Sequence, residues 1–441
     1  MKHVPGPFFP LVVVSALMMI TFTGCPPKEV AQKPRPKPVE APLIGQDAIL
    51  DGNIKTVQIY RDGTPGAMPV TFIGGYDPIT LEFDELRDAE ERESDFFVDL
   101  IACDQYWRPV QVLPIEFYEG FTQDRIQIFQ RSEFTKVDYV HYEYSFPQEN
   151  EAFKLSGNYL IKVFRDGDAS AVVLTRRFVV VESLVGIGLT GELNQAPRRR
   201  RMEQINFLVN PGKLQVFNPM NDLHVSVMPN FRFDQQMSLR PVNILNDQLL
   251  FEVDLLRSFP NGHEFRPLDI RSTRFLSASI QDVEERDDVF DVYLFSDNAW
   301  LSNTFGRQPD LNGSYFIEVQ EWQRPSVQSD YVYVYFSAPR SAPIPDKEVY
   351  VIGKFTDWAL NVSNRMRWNE EVKEYQVEML LKQGYYDYQY VTAANAQDVP
   401  ESSTFQGRLG DAENSYFVLV YFRGPIDRND RVVGYWSVNG Q

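Results

Sequence analysis

Glu374-Tyr375-Gln376-Val377-Glu378-Met379-Leu380 decides the fold class. Apolar Tyr375, Val377 and Met379 alternate with Glu374, Gln376 and Glu378, the period of a strand with one face in a core and the other in water. Working outward, Tyr385 to Val391, Asp138 to Phe146, Tyr159 to Phe164, Arg125 to Arg131 and Lys55 to Arg61 read the same way, rich in aromatic and β-branched residues that suit a pleated surface. Asp62-Gly63, Asp166-Gly167, Asn261-Gly262 and Asn312-Gly313 sit where hairpins must turn. Helical periodicity is weak; its best stretch, Asp84 to Glu93, is polar all round and reads as a solvated loop or a short surface helix. The fold class expected is all-β.

The N-terminus adds a compartment. Lys2, the uncharged run Phe8 to Ile20, and small residues before Cys25 have the order of an export signal, too short to span a bilayer. Six prolines and several lysines between Pro26 and Pro42 make an extended tether of 17 residues, reaching on the order of 50 Å at about 3.1 Å per residue. The remaining length suggests about three consecutive immunoglobulin- or early-set-like β-sandwiches, at 43–182, 183–326 and 327–441, behind a signal at 1–24 and a tether at 25–42. Two larger sandwiches are the alternative. An export route with two cysteines, Cys25 and Cys103, leaves stability to hydrophobic cores.

The formal charge of −18 becomes −19 once Lys2 leaves with the signal, which excludes nucleic acid as a partner because phosphates repel such a chain. Chemistry is hard to place. Past the signal only His141, His224 and His263 remain, without metal-ligand spacing, and no HExxH, G-x-S-x-G or phosphate loop occurs. Cys103 with His141 as base is the one conceivable nucleophile, against the commoner reading of a small residue near a strand end. A carboxylate pair of glycosidase type is defined by spatial separation and has no sequence signature here. The acidic clusters Glu82 to Asp95 and Asp282 to Asp291, and the turn Asp310-Leu311-Asn312-Gly313, lack a full calcium loop and read as solvated loops and a hairpin. No cofactor, metal or small-molecule substrate is expected. Arg198, Arg199, Arg200 and Arg201 oppose the general charge and are candidates for docking a carboxylate-rich partner or anionic headgroups; the alternative is a solvated loop paired with the chain's own acids.

Three resemblances follow from these residues. Phe22-Thr23-Gly24-Cys25 resembles the lipobox of bacterial lipoproteins, with an aromatic residue where leucine is usual, and implies lipidation of Cys25. The ordered series Ile54 to Tyr60, Leu81 to Leu86, Cys103 to Trp107, Phe117 to Phe121, Asp138 to Tyr142, Ser156 to Tyr159, Thr175 to Phe178 and Asn261 to Arg266 resembles the type IX secretion system plug protein family. That resemblance implies a non-enzymatic protein, lipid-anchored at the outer membrane and facing the periplasm, that closes the periplasmic mouth of a giant outer-membrane β-barrel translocon. Finally, Val349 to Trp358 followed by Gly384 to Tyr390 is similar to glycogen-binding early-set sandwiches. Trp358 matches one of their aromatic positions, but Gln389 stands where their binding lysine falls and the next tryptophan is missing. The alternative function is therefore a lipid-anchored glycan-binding envelope protein, with Trp358 and Trp368 as stacking platforms and core packing as their other role.

Overall fold

The computed structural model describes residues 1, 45–61, 63–64, 66–190, 204–254, 259, 265–296, 311–406 and 414–439. Strands dominate, and no helix among these residues is long and apolar enough to cross a membrane. The strands build two pairs of facing sheets and one continuous nine-stranded sheet, each with its own core.

The first unit packs a sheet in the order Ala48–Ile49, Val172–Val181, Gly157–Arg165, Phe96–Cys103, Gln123–Arg125 against a second in the order Ile54–Arg61, Ile79–Leu86, Tyr139–Phe146, Ile128–Arg131. Phe83, Phe96 and Tyr142 meet at centroid separations of 4.8 to 5.2 Å between the sheets. Such aromatic pairs add about 0.5–1.5 kcal/mol each beyond the area they bury. The turn at Asp166-Gly167 places both residues at positive φ, as that sequence predicts.

The units do not follow the boundary expected at 326/327. Strands Arg266–Asp269, Ile280–Glu285, Phe290–Leu294 and Tyr315–Ile317 join the third unit, where Tyr331–Pro339, Glu374–Lys382 and Gly384–Ala393 are central. Ser415–Phe422 and Arg431–Asn439 return to the middle unit: Ser415–Phe422 pairs with Leu223–Pro229, from Leu223 opposite Phe422 to Pro229 opposite Tyr416, and Arg431–Asn439 pairs with the other edge of Ser415–Phe422. The reason is in the residues of Ser415–Phe422, nearly all apolar, as befits a strand buried on both faces. Tyr416, Val418, Val420 and Phe422 enter the middle core; Phe417, Leu419 and Tyr421 enter a cluster shared with Met68, Val70, Trp107, Val179 and Val181 of the first unit.

The expectation of half-buried strands also needs correction. In Gly384–Ala393 the polar Asp387 and Gln389 are as buried as the tyrosines between them. Asp84 and Glu85, expected in a solvated loop or helix, lie in the strand Ile79–Leu86 and are buried. Their polar faces are covered by neighbouring structure instead of water.

Candidate functional site

The outward face of the third unit's sheet begins under the first unit. Lys382 and Tyr331 are register partners on neighbouring strands, so both point the same way. They meet Asp84, which is 1% exposed. Lys382 Nζ and Tyr331 Oη each donate to Asp84 Oδ2 at 2.6 Å, and His141 Nδ1 lies 2.8 Å from Oδ1. Burial alone would raise the Asp84 pKa, but the Lys382 charge and the His141 contact hold it below the usual carboxylate value. Lys382 also donates to Ser326 O at 2.6 Å and stands 4.1 Å from the Tyr139 ring centroid, so the ammonium is enclosed by an anion, a carbonyl and a π face. Around this centre the Asp330 carboxylate accepts the N–H groups of Lys136 and Val137, and Glu133 N–H donates to Val327 O. The first and third units are thus joined by a desolvated polar seam, and the first and middle units by an apolar cluster edged with hydrogen bonds such as Tyr421 Oη to Asn158 Oδ1 at 2.9 Å.

Where the three units meet, Asp47, Arg176, Arg177, Phe231, Lys354, Asp357 and Trp358 line a cavity of about 70 Å³. Arg177 donates to Asp47 Oδ2 at 2.9 and 3.1 Å and covers the Phe233 ring at 4.3 Å; Arg176 lies 3.0 Å from Asp357 Oδ2. Burial pushes Lys354 down to about 8 against the pull of Asp47 and Asp357, and pushes Asp357 up. Six non-glycine residues here or in the flanking segments take positive φ: Thr56, Trp107, Asn230, Phe231, Asp357 and Trp358. Each costs on the order of 1–3 kcal/mol and persists because packing from more than one unit holds it.

Beyond the seam the same sheet face runs on through Tyr335, Glu378, Ser337, Gln376 and Glu374 into a groove of about 1660 Å³, bounded on the far side by Asp47 to Thr56. Tyr293 and Tyr335 stack on its floor at 4.7 Å. Trp368 lies at its rim, edge-on to Tyr375 at 5.1 Å with its indole N–H donated to Glu370 at 2.5 Å. The face mixes aromatic and charged groups on paired strands.

Placement of the sequence candidates is uneven. Cys103 is buried at a strand end with its thiol on Ile101 O at 3.8 Å, and burial, aided by Asp104, pushes its pKa up to about 12. His141 lies in the facing sheet with its Nδ1 on Asp84, and no contact joins it to Cys103 among the described residues. Trp358 is only 9% exposed, packed against Phe265 and beneath the Arg232 guanidinium at 4.3 Å, which corrects its reading as an open sugar platform. Leu311 and Gly313 donate their N–H groups to Asp387, so that turn organises a buried carboxylate. Among the described residues no group of three His, Cys, Asp or Glu side chains is placed to hold a metal. Cys25 and Arg198 to Arg201 lie outside the described residues. Lys382, Tyr331 and Lys354 were missed by sequence reasoning; the isolated lysine in an aromatic strand, Leu381-Lys382-Gln383, was the available signal.

Residues 54–182, the first unit, match the family model described as Type 9 secretion system plug protein 1st domain. The chain carries a type 9 secretion plug domain. It is a component of type IX secretion, and hence of the cell envelope. Asp84, His141 and Trp107 all belong to the plug domain, so both seams are built on it. A crystal structure of a hypothetical protein from Parabacteroides merdae is similar over 90% of this chain and 99% of its own, with a TM-score of 0.81 and 27% identity. The partners of the plug domain therefore belong to the shared architecture. Native α-2-macroglobulin from Escherichia coli aligns over 45% of this chain with a TM-score of 0.15 and 8% identity, too low to bear on the fold. No curated protein matches the chain.

Proposed function

We propose that this protein closes the periplasmic mouth of the giant outer-membrane β-barrel translocon of type IX secretion by protein–protein binding, held at the membrane by a lipid on Cys25. The match of residues 54–182 to the plug domain carries the reading. Two features of the fold support it. A closure element has to keep its form against a wide opening, and here the plug domain is fixed to its neighbours by a buried ion pair on one side and a shared hydrophobic cluster on the other. A sealing contact also needs an area beyond about 1,200 Å² with an affinity low enough to release, and a rigid sheet face with an adjoining groove suits that demand. In this reading Arg198 to Arg201 offer guanidinium forks to carboxylates of the partner. The glycan alternative loses its main platform with the burial of Trp358.

The test is affinity purification of a C-terminally tagged chain from gently solubilised outer membranes. A very large barrel recovered in comparable amount is the expected result. A tagged chain that is intact and membrane-bound but brings no barrel overturns the reading.

A further inference from the structure

Five large apolar side chains project from three loops that converge at one place. Leu113 and Ile115 come from the turn beginning at Pro114, Phe217 and Met220 from the turn leading to Asp222, and Ile426 from the hairpin after Phe422. Ile115, Phe217 and Ile426 are 74, 77 and 93% exposed. Direct contacts tie the loops together. Arg428 Nη1 lies 3.0 Å from Glu116 Oε1, Arg423 N–H donates to Asp222 O at 3.2 Å, and Arg240 donates to Asn221 O at 2.8 Å. The patch therefore spans the plug domain and the middle unit, and it is held in position by ion pairs and backbone hydrogen bonds. Exposed aliphatic and aromatic side chains concentrated in this way mark an interaction surface.

The start of the described chain says what covers it. Gly45 N–H donates to Trp107 O at 3.0 Å, and two residues earlier Gln105 N–H donates to Asp430 Oδ2 at 2.9 Å, in the hairpin that carries Ile426. Gly45, 20 residues after the cysteine of the lipobox-like motif, is thus bonded to a loop that is itself bonded to the patch's hairpin. Charge agrees. In a chain of net charge −18, this corner is locally balanced: Arg108, Arg423 and Arg428 face Asp104, Asp430 and Glu116 as close pairs. No excess of negative charge here opposes approach to anionic headgroups.

We infer that Leu113, Ile115, Phe217, Met220 and Ile426 form a shallow membrane-insertion patch that seats this end of the protein in the phospholipid interface to which its tether leads. One acyl chain holds a protein only marginally, so a second apolar contact is what makes attachment stable. It also fixes orientation, since an anchored tether alone leaves the body free to tumble. The inference rests on the lipid-anchor part of the proposed function and is independent of the translocon part.

The test is flotation with vesicles of phosphatidylethanolamine and phosphatidylglycerol, using the chain from residue 26 onward, which keeps every described element beyond Met1 but lacks the leader and Cys25. This chain floats with vesicles, and binding persists at 0.5 M salt because it rests on apolar insertion. The Ile115→Ser/Ile426→Ser pair lowers vesicle binding about tenfold or more, with an unchanged melting temperature because both side chains lie in solvent. Failure of the parent chain to float, or equal flotation of the double variant, overturns the inference. So does a double variant that keeps vesicle binding but loses recovery of the barrel, which assigns the patch to a protein partner. Loss of flotation with normal barrel recovery supports insertion and leaves the translocon reading intact.

Discussion

Lys382→Met is the sharpest probe of how the plug domain is held. The substitution keeps most of the side-chain volume and removes one charge. Three interactions vanish with it: the 2.6 Å bond to Asp84, the 2.6 Å bond to Ser326 O and the cation–π contact with Tyr139. Asp84 stays 1% exposed and keeps only the hydrogen bonds from Tyr331 and His141. Removing one partner of a buried pair costs about 3–5 kcal/mol, because the surviving charge is left desolvated. The cost falls on the seam itself, so a local readout there is more direct than a global unfolding midpoint. Native-state hydrogen exchange of the Lys136 and Val137 amides, which donate across the seam to Asp330, reads it directly. Their protection should fall by a factor on the order of 100 or more, while amides in the plug-domain core keep theirs. The double change Asp84→Leu/Lys382→Met should restore most of the loss, since an apolar pair needs no counter-charge. Unchanged protection in the single variant, or equal damage in both, refutes the view that the seam rests on this pair.

Other consequences follow from the same geometry. Because Asp84 titrates below its ordinary value, the stability it contributes is present above about pH 4 and is lost as pH falls through its folded pKa; Asp84→Asn should flatten that acid limb in a pH series of denaturation midpoints. Lys354 behaves oppositely. With its folded pKa near 8 and its unfolded value near 10.4, the unfolded chain binds more protons between them, so stability rises with pH in that window by up to about 3 kcal/mol. Lys354→Met should abolish that rise between pH 8 and 9.5 and stabilise the protein at pH 7. Leu419, fully buried in the apolar seam, should cost about 2–5 kcal/mol when changed to alanine, measured as a fall in the denaturation midpoint. Cys103 should resist thiol reagents at pH 8 in the folded protein and react on unfolding; fast native labelling contradicts its burial.

The strands were legible because their chemistry is local. Glu374 to Leu380 forms the strand its alternation predicts, with Tyr375, Val377 and Met379 in the core. What alternation does not encode is the medium facing the polar side. Glu374 and Gln376 face an open groove, yet Lys382, on the same face of the same strand, is sealed beneath the plug domain. Asp84 was misread for the same reason. A carboxylate in an acidic stretch looks solvated until a lysine almost 300 positions away is placed on it. The linear boundaries failed because Ser415–Phe422 carries two apolar faces, and only the fold reveals that each belongs to a different neighbour.

The two seams of the plug domain differ in how they respond to displacement. The seam with the middle unit combines apolar contact, which is non-directional and varies smoothly with buried area, with bonds such as Tyr421 Oη to Asn158 Oδ1 at 2.9 Å. At the polar seam the bonds carry a charge: Lys382 and Tyr331 donate to Asp84 at 2.6 Å in a site closed to water. Between them lies the charged junction, with positive-φ residues contributed by all three units. Displacing the third unit would break the ion pair and release the strain at Asp357 and Trp358 together, so intermediate positions gain little. Separation at the polar seam would be seen at the Lys136 and Val137 amides, which lose their bonds to Asp330 when it opens.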